Sequence, residues 1–338
     1  MSGKTAEQVY KDIQVFKGVP ADKIMPTMEF MNIALGVQCE HCHLPGTYEA
    51  PNSNKTVARA MVKMQYDLIQ GPFEAVPSVS CYTCHRGAVT PPTLPPVATE
   101  TAAVVAPPEP PVAERVTTSL EMVLAKWVNA SGGAAALAKV STRKQSGTIS
   151  FGDTKSPIEV LTKLPDKRMS IVHAPDGVSV TAFDGHNGWL GTVGRGAHAM
   201  RPDENEAAML DAAVALPSAT NKAFSQMRIW RPERINGHDT NVLFSGSPEH
   251  PEVKLCFDKE SGLLLRMYRY VNTPIGQILT QIDYDDYREQ DGVKMPFRWT
   301  VARPESRFTI QIDRVQLNLP IPDARFTQPS GPVPTNPE

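Results

Sequence analysis

The chain has 338 residues, a formal net charge of −2 and a sequence pI of about 6.5. That length exceeds what one compact core usually needs, so two domains are expected. The balanced charge gives no basis for a nucleic-acid or anionic-membrane partner, and no apolar run approaches the roughly 20 residues of a membrane span.

Met1-Ser2-Gly3-Lys4 leads straight into a polar segment with no apolar stretch of the signal-peptide kind. Thr5 and Gln8 have capping-box spacing, and Val9, Ile13 and Phe16 follow at helical intervals, so a short packing helix is expected before Gly18 and Pro20. A second helix opens at Pro26 and ends at Gly36, with Met28, Met31 and Leu35 on one face. Three residues on stands Cys39-Glu40-His41-Cys42-His43. A polar loop then leads to a third helix over 56–69, with Val57, Met61, Met64 and Leu68 along one side. A turn through Gly71, Pro72 and Pro77 reaches Cys81-Tyr82-Thr83-Cys84-His85. The segment therefore repeats itself: a methionine-bearing helix, a turn, then C-x-x-C-H.

C-x-x-C-H is the attachment signature of c-type haem. Two thiols on one helical turn reach the two vinyl groups of a porphyrin, and the adjacent histidine lies under the iron. A lone C-x-x-C is also compatible with a redox dithiol or half of a zinc site. Two such pairs, each followed at once by His, in a chain with five cysteines point to two haems. Cys39, Cys42, Cys81 and Cys84 are then the thioether positions, and His43 and His85 the proximal ligands. Methionines on the preceding helices (Met28, Met31, Met61, Met64) are candidates for the sixth position, against their ordinary use as core residues. His41 is expected at the surface, and Tyr82 and Thr83 near the edge of the second haem.

Residues 88–118 carry eight prolines, at 91, 92, 95, 96, 107, 108, 110 and 111, and read as an extended polyproline-type spacer. Beyond it a helix over 119–129 runs into Ser131-Gly132-Gly133. About ten strands follow, at 147–151, 158–164, 168–173, 178–183, 241–245, 253–257, 263–271, 277–284, 297–302 and 307–313. Turn signals such as Asp184-Gly185, Asn187-Gly188 and Asp291-Gly292 separate them. Helices are expected at 203–216 and 220–230, and a loose Pro-rich tail from Gln328. The organisation is multidomain: an all-α dihaem cytochrome c module (1–87), a linker (88–118), an antiparallel β half-barrel of α+β type (119–327) and the tail (328–338).

Residues 6–87 resemble one half of the tetrahaem cytochrome subunit of photosynthetic reaction centres. The stretches that carry this are Pro26-Thr27-Met28-Glu29-Phe30-Met31, Leu35-Gly36-Val37-Gln38-Cys39, Ala58 to Met64, and Val79 to Gly87. The resemblance implies Met28 as axial ligand for the haem on Cys39 and Cys42, and Met61 for the haem on Cys81 and Cys84, with Met31 and Met64 left to packing. That family places a histidine eight residues before one attachment site; here the position is Phe73. More weakly, Leu124 to Gly147 resembles the lipoprotein-carrier superfamily, which implies a half-barrel with an apolar cavity. Trp127, Trp189, Trp230, Trp299, Phe297 and Phe308 suit such a cavity or an ordinary sandwich core.

The remaining candidates carry less. His173, His186, His198, His238 and His250 show no ligand spacing, Cys256 reads as a buried inert thiol, and Asp283, Asp285 and Asp286 read as a solvated strand edge rather than a metal site. The expected function is electron relay by an exported, periplasmic protein with two covalent haems c and redox protein partners; it is not expected to be an enzyme. Numbering is then expected to begin at a processed or re-engineered start, with no cysteine near residue 1 for a lipid anchor. The C-terminal domain is expected to dock to a membrane complex, a lipid-modified protein or a second copy. Two readings stand beside this one: a haem enzyme or sensor with an open iron, and a carrier of apolar ligands with accessory haems.

Overall fold

The computed structural model describes residues 3–73, 79–93, 118–218, 222–246 and 252–334. Most of the proline-rich spacer, Pro77, the start of the helix expected from residue 220, and His250 lie outside them. The chain forms two compact units. One comprises Met1–Ala113 together with Tyr270–Ile278; the other comprises Glu114–Arg269 and Leu279–Glu338.

The first unit is helical. Helix α1 (Ala6–Val9) is a single turn, with Gln8 Oε1 accepting from the Thr5 N–H at 3.0 Å. The longer helix expected through Ile13 and Phe16 does not form, because Asp12 takes a left-handed φ of 63° that breaks the run. Both side chains still reach the core. Helix α2 (Ile24–Leu35) ends on Gly36 at φ 65°. Helix α3 (Ser53–Gln70) is capped by Asn52, whose side chain accepts from the Asn54 N–H at 2.7 Å, and helix α4 (Cys81–His85) starts after Ser80. Phe16, Ile24, Phe30, Ala34 and Val62 pack with Ile275 and Ile278 from the far end of the sequence. At Gly276 a Cβ would fall 2.3 Å from the Phe30 ring, so only glycine lets the two segments meet.

The second unit opens with helices α5 (Leu120–Ala130) and α6 (Ala134–Leu137), α5 being capped by the Ser119 hydroxyl. The strands that follow are β1 (Thr142–Phe151), β2 (Thr154–Lys163), β3 (Lys167–Ala174), β4 (Gly177–Phe183), β5 (Gly188–Thr192) and β6 (His198–Ala199). After helix α7 (Pro202–Ala215) come β7 (Arg228–Ile229), β8 (Arg234–Ile235), β9 (His238–Ser245), β10 (Val253–Asp258), β11 (Leu264–Thr273), β12 (Gly276–Gln290), β13 (Val293–Ala302) and β14 (Arg307–Leu317). They form a single sheet in the order β6-β5-β4-β3-β2-β1-β14-β13-β12-β11-β10-β9-β7, with β8 paired to β9. Pairing of β1 with β14, Ile149 opposite Ile310, joins two antiparallel meanders. Among the described residues there are fourteen strands, where about ten were expected; the additional ones are short.

Trp127, Leu243, Leu255, Phe257 and Met267 anchor the main core of this unit, each at 2% exposure or less. Full burial of a large apolar side chain contributes about 1.5–3 kcal/mol. A second cluster gathers Trp189, Ile171, Ile321, Phe326 and Val333. Two expectations are corrected here. The region expected as a helix over 220–230 contributes only a short 3-10 turn, Lys222–Phe224, among its described residues. Of the tail expected to be loose, the described residues 328–334 are docked: Val333 is buried, and bridges join Val333 to Val193 and Pro332 to Gly196. Its apolar side chain gains a pocket that composition alone does not reveal.

Candidate functional site

Helix α2 holds both C-x-x-C-H segments. Its C-terminal Gly36 leads within three residues to Cys39, and the Ala34 carbonyl accepts from the Gly87 N–H at 2.9 Å, just past the second motif. A Cβ on Gly36 would lie 2.1 Å from the Gly87 carbonyl oxygen, so the left-handed cap and the close approach both require glycine. Cys39–His41 form one 3-10 turn and Cys81–His85 one α-turn, which sets each pair of thiols on one side of a turn.

No disulfide joins the four motif cysteines; Cys39 and Cys84 are exposed, Cys42 and Cys81 half-buried. Burial pushes the Cys42 and Cys81 thiols up, and for Cys42 the Lys55 charge acts against that rise. The Asn32 amide donates to Cys39 Sγ at 3.6 Å. The Cys81 thiol donates to Gln65 Oε1 at 3.3 Å, while Gln65 Nε2 donates to the Val79 and Ile275 carbonyls at 3.2 and 3.1 Å.

The two histidines are held alike. His43 Nδ1 donates to the Tyr48 carbonyl at 2.9 Å, and His85 Nδ1 donates to the Ala88 carbonyl at 3.0 Å. A carbonyl can only accept, so Nδ1–H is the donor in each ring, and in the neutral tautomer with that proton Nε2 is the nitrogen that carries the lone pair. This is the second-shell bond that orients a metal-ligating imidazole. Among the described residues no group of three or more His, Cys, Asp or Glu side chains converges in a way that could hold a metal ion.

The methionines divide by exposure. Met28 and Met31 are half-buried against the core of the helical unit, whereas Met61 and Met64 are 38% and 46% exposed. Helix α3 has an inverted pattern: Lys55, Val62 and Gln65 are buried, while Val57, Met61 and Met64 form an exposed apolar stripe. A stripe of this kind, with paired thiols and anchored imidazoles in the same unit, fits a porphyrin face, so the residues present suit covalent haem. Tyr82 and Thr83 are exposed, Thr83 accepting from the Ser80 N–H, and Phe73 is 40% exposed.

Residues 1–108 match the family described as the photosynthetic reaction centre cytochrome C subunit. The match takes in both C-x-x-C-H segments. The curated relative in Thermochromatium tepidum, a photosynthetic reaction center cytochrome c subunit, is 30% identical over 95 residues. That alignment takes in 25% of this chain and 22% of the relative, so the chain spans less than a quarter of that protein's length. The structure is also similar to a DUF1329 family protein from Desulfovibrio piger (12% identity, 62% of this chain, 97% of the other, TM-score 0.44). A LolA superfamily protein from Nitrosomonas europaea gives 15% identity, 62% of this chain, 98% of the other and the same TM-score of 0.44. Nothing about ligands follows from likenesses of that degree.

In the β-rich unit the aromatic residues named from the sequence mostly fill the core. Trp127 packs edge-on to Phe224 and near Phe257, Trp189 donates its indole N–H to the Phe326 carbonyl at 2.8 Å, and Trp299 and Phe297 are buried. Trp230 is 37% exposed and stacks on Phe244. A cavity of about 20 Å3, room for little more than one water, is lined by Trp127, Arg143, Leu264, Tyr284, Tyr287 and Met295 among others. Arg143 is buried, its Nη1 faces the Met295 sulfur at 3.6 Å, and its Nε has no partner; desolvation pulls its pKa down to about 10.

Asp283, Asp285 and Asp286 each pair with an arginine, Arg266, Arg298 and Arg288 respectively. Burial pushes the Cys256 thiol up to about 12. His173, His186, His198 and His238 are exposed. Sequence reasoning missed Lys55 and Gln65, because a charged or amide side chain on a helix ordinarily reads as solvated, and Asp12, because its partners Lys55 and Arg59 lie more than 40 residues away.

Proposed function

We propose that the chain is an electron-relay protein that carries two covalently bound haems c and works on the outer, oxidising side of a membrane. Among the described residues no helix is long and apolar enough to cross one. In this reading Cys39 and Cys42 hold one haem by thioethers and Cys81 and Cys84 hold the other. His43 and His85 bind iron through Nε2, and Met28 and Met61 supply the sixth ligands. The observation that carries the reading is the matched pair of histidines, each following a C-x-x-C pair and each with Nδ1 committed to a backbone carbonyl.

Covalently bound haem supplies reversible one-electron chemistry at iron. The chain contributes fixed orientation. Helix α2 joins the two attachment turns through Ala34 and Gly87, Gln65 holds Cys81, and the exposed Val57–Met61–Met64 stripe offers an apolar face. Partners are other redox proteins. The β-rich unit serves docking to a membrane complex or to a second copy, or binding of an apolar ligand; for the last, the 20 Å3 cavity would have to open by repacking.

The test is the full chain matured with a c-type haem attachment system. Two haems per chain resistant to acid–acetone extraction, both low-spin and unresponsive to carbon monoxide, are expected. Met61→Ala should convert one haem to a high-spin or ligand-binding form and leave the other unchanged. An unaltered low-spin spectrum in that variant would remove Met61 as a ligand, and carbon monoxide binding by the unmodified protein would point to an open iron and a catalytic or sensory role.

A further inference from the structure

The carbonyl oxygen of Tyr48 has two donors. His43 Nδ1 reaches it at 2.9 Å, and the Lys55 ammonium reaches the same oxygen at 2.5 Å. Lys55 is 8% exposed and its remaining donors go to the Ala50 carbonyl at 2.8 Å and Asp12 Oδ2 at 3.5 Å. Asp12 is also held by Arg59 at 2.7 Å and by the Gln14 amide at 2.9 Å. The cluster therefore sets two cations against one carboxylate, a net positive charge one carbonyl away from His43. The neighbouring Lys11–Glu49 pair, at 3.0 Å, cancels itself. At the second motif the Ala88 carbonyl takes His85 Nδ1, and among the described residues no lysine or arginine shares that oxygen. Arg86 is near in sequence but exposed, where water and salt screen its charge.

We infer that Lys55 raises the reduction potential at the first attachment site, acting on His43 through the Tyr48 carbonyl they share. This rests on the haem reading above. Two effects act in the same direction. A carbonyl already bonded to an ammonium is a poorer acceptor, so it draws less on the Nδ1–H and leaves the imidazole a weaker donor to ferric iron. The net positive charge, whose Lys55 member is buried, also opposes the additional positive charge of the ferric state, through a medium that screens it less than water does. Lys55 touches no ligand atom of the iron and is a positioning residue. The two attachment sites, alike in motif, are thereby made unlike in potential, which gives an electron a preferred resting place within one small unit.

The experiment is a spectroelectrochemical titration of the haem-loaded full chain and its variants. The wave of the first site is identified as the one that survives in Cys81→Ala/Cys84→Ala. Lys55→Met should lower that wave by about a tenfold change in the ferric-to-ferrous ratio, which for one electron is ~59 mV. Asp12→Asn, which removes the compensating carboxylate, should move it upward, and in both variants the second wave should stay in place. A role confined to holding the loop together would move the first wave the same way in both variants. That result, equal shifts of both waves, or no shift in either variant, overturns the inference. If Lys55→Met does not accumulate, the direction of the Asp12→Asn shift decides alone. A chain that retains no haem after acid–acetone extraction overturns the haem reading itself, a failure visible before any potential is measured.

Discussion

The two units treat their apolar side chains in opposite ways. In the β-rich unit Trp127, Leu255 and Met267 are enclosed by other side chains of the same unit, and the 20 Å3 cavity beside them is barely larger than a water. In the helical unit the core is small, and Met25, Leu44, Tyr48, Val57, Met61, Met64, Phe73, Tyr82 and Val89 are exposed. Nine of the thirteen exposed large apolar residues found among the described residues thus belong to the smaller unit. Polar groups follow the reverse rule there, since Lys55 and Gln65 are buried on helix α3. In one unit the large apolar side chains mostly cover one another. In the other more of them lie at the surface, where the proposed haems would cover them.

That contrast can be broken unit by unit, because all four tryptophans lie in the β-rich unit and the attachment cysteines in the helical one. Tryptophan emission reports one, haem absorbance the other. The largest effect is expected from Cys81→Ala/Cys84→Ala, which should halve the bound haem and leave the wavelength of the emission maximum unchanged; retention of both haems would end the attachment assignment. Next comes Trp127→Ala, expected to cost about 3–5 kcal/mol in urea unfolding followed by emission, with the haem spectrum of the folded protein intact. An effect below about 1 kcal/mol would show that the core yields more easily than its packing indicates.

Gly276→Val should be felt by the haem absorbance rather than by the tryptophans, since its side chain would enter the Phe30 ring. A loss of about 1–3 kcal/mol is the usual cost of overpacking. The smallest expected change is a gain. Arg143→Met removes a buried, partly unpartnered guanidinium beside Met295, and stability at neutral pH should hold or rise by about 1 kcal/mol in thermal unfolding. Since burial lowers its pKa to about 10, the folded state bears the full cost of the charge below that pH and sheds it above. The advantage of the methionine variant should therefore shrink as pH rises through 10.

Much of this was legible in the sequence, for reasons particular to each element. Helix α2 announces itself by Pro26 and Gly36, and the observed Ile24–Leu35 differs by a residue or two at the ends. The ten strands marked by alternation are present, most with extended ends, because alternation marks the half-buried middle of a strand better than its rim. Strand β5, by contrast, has two glycines in Gly188–Thr192 and is placed by Trp189 packing near Phe326, a contact across 137 residues that no local pattern carries. The docking of Val333 and the inclusion of Tyr270–Ile278 in the helical unit are of the same kind. At the candidate site the motif cysteines and histidines are plain from spacing. The buried Lys55 is not, because its burial depends on two loop carbonyls and an aspartate 43 residues away.

Gln65 and Phe30 reach their partners at Ile275 and Gly276 only across more than 200 positions of chain. A ribosome delivers residue 43 and residue 85 long before residue 278. During that interval the first unit lacks part of its own interior, so helices α2 and α3 complete their packing only after residues 275–278 have emerged.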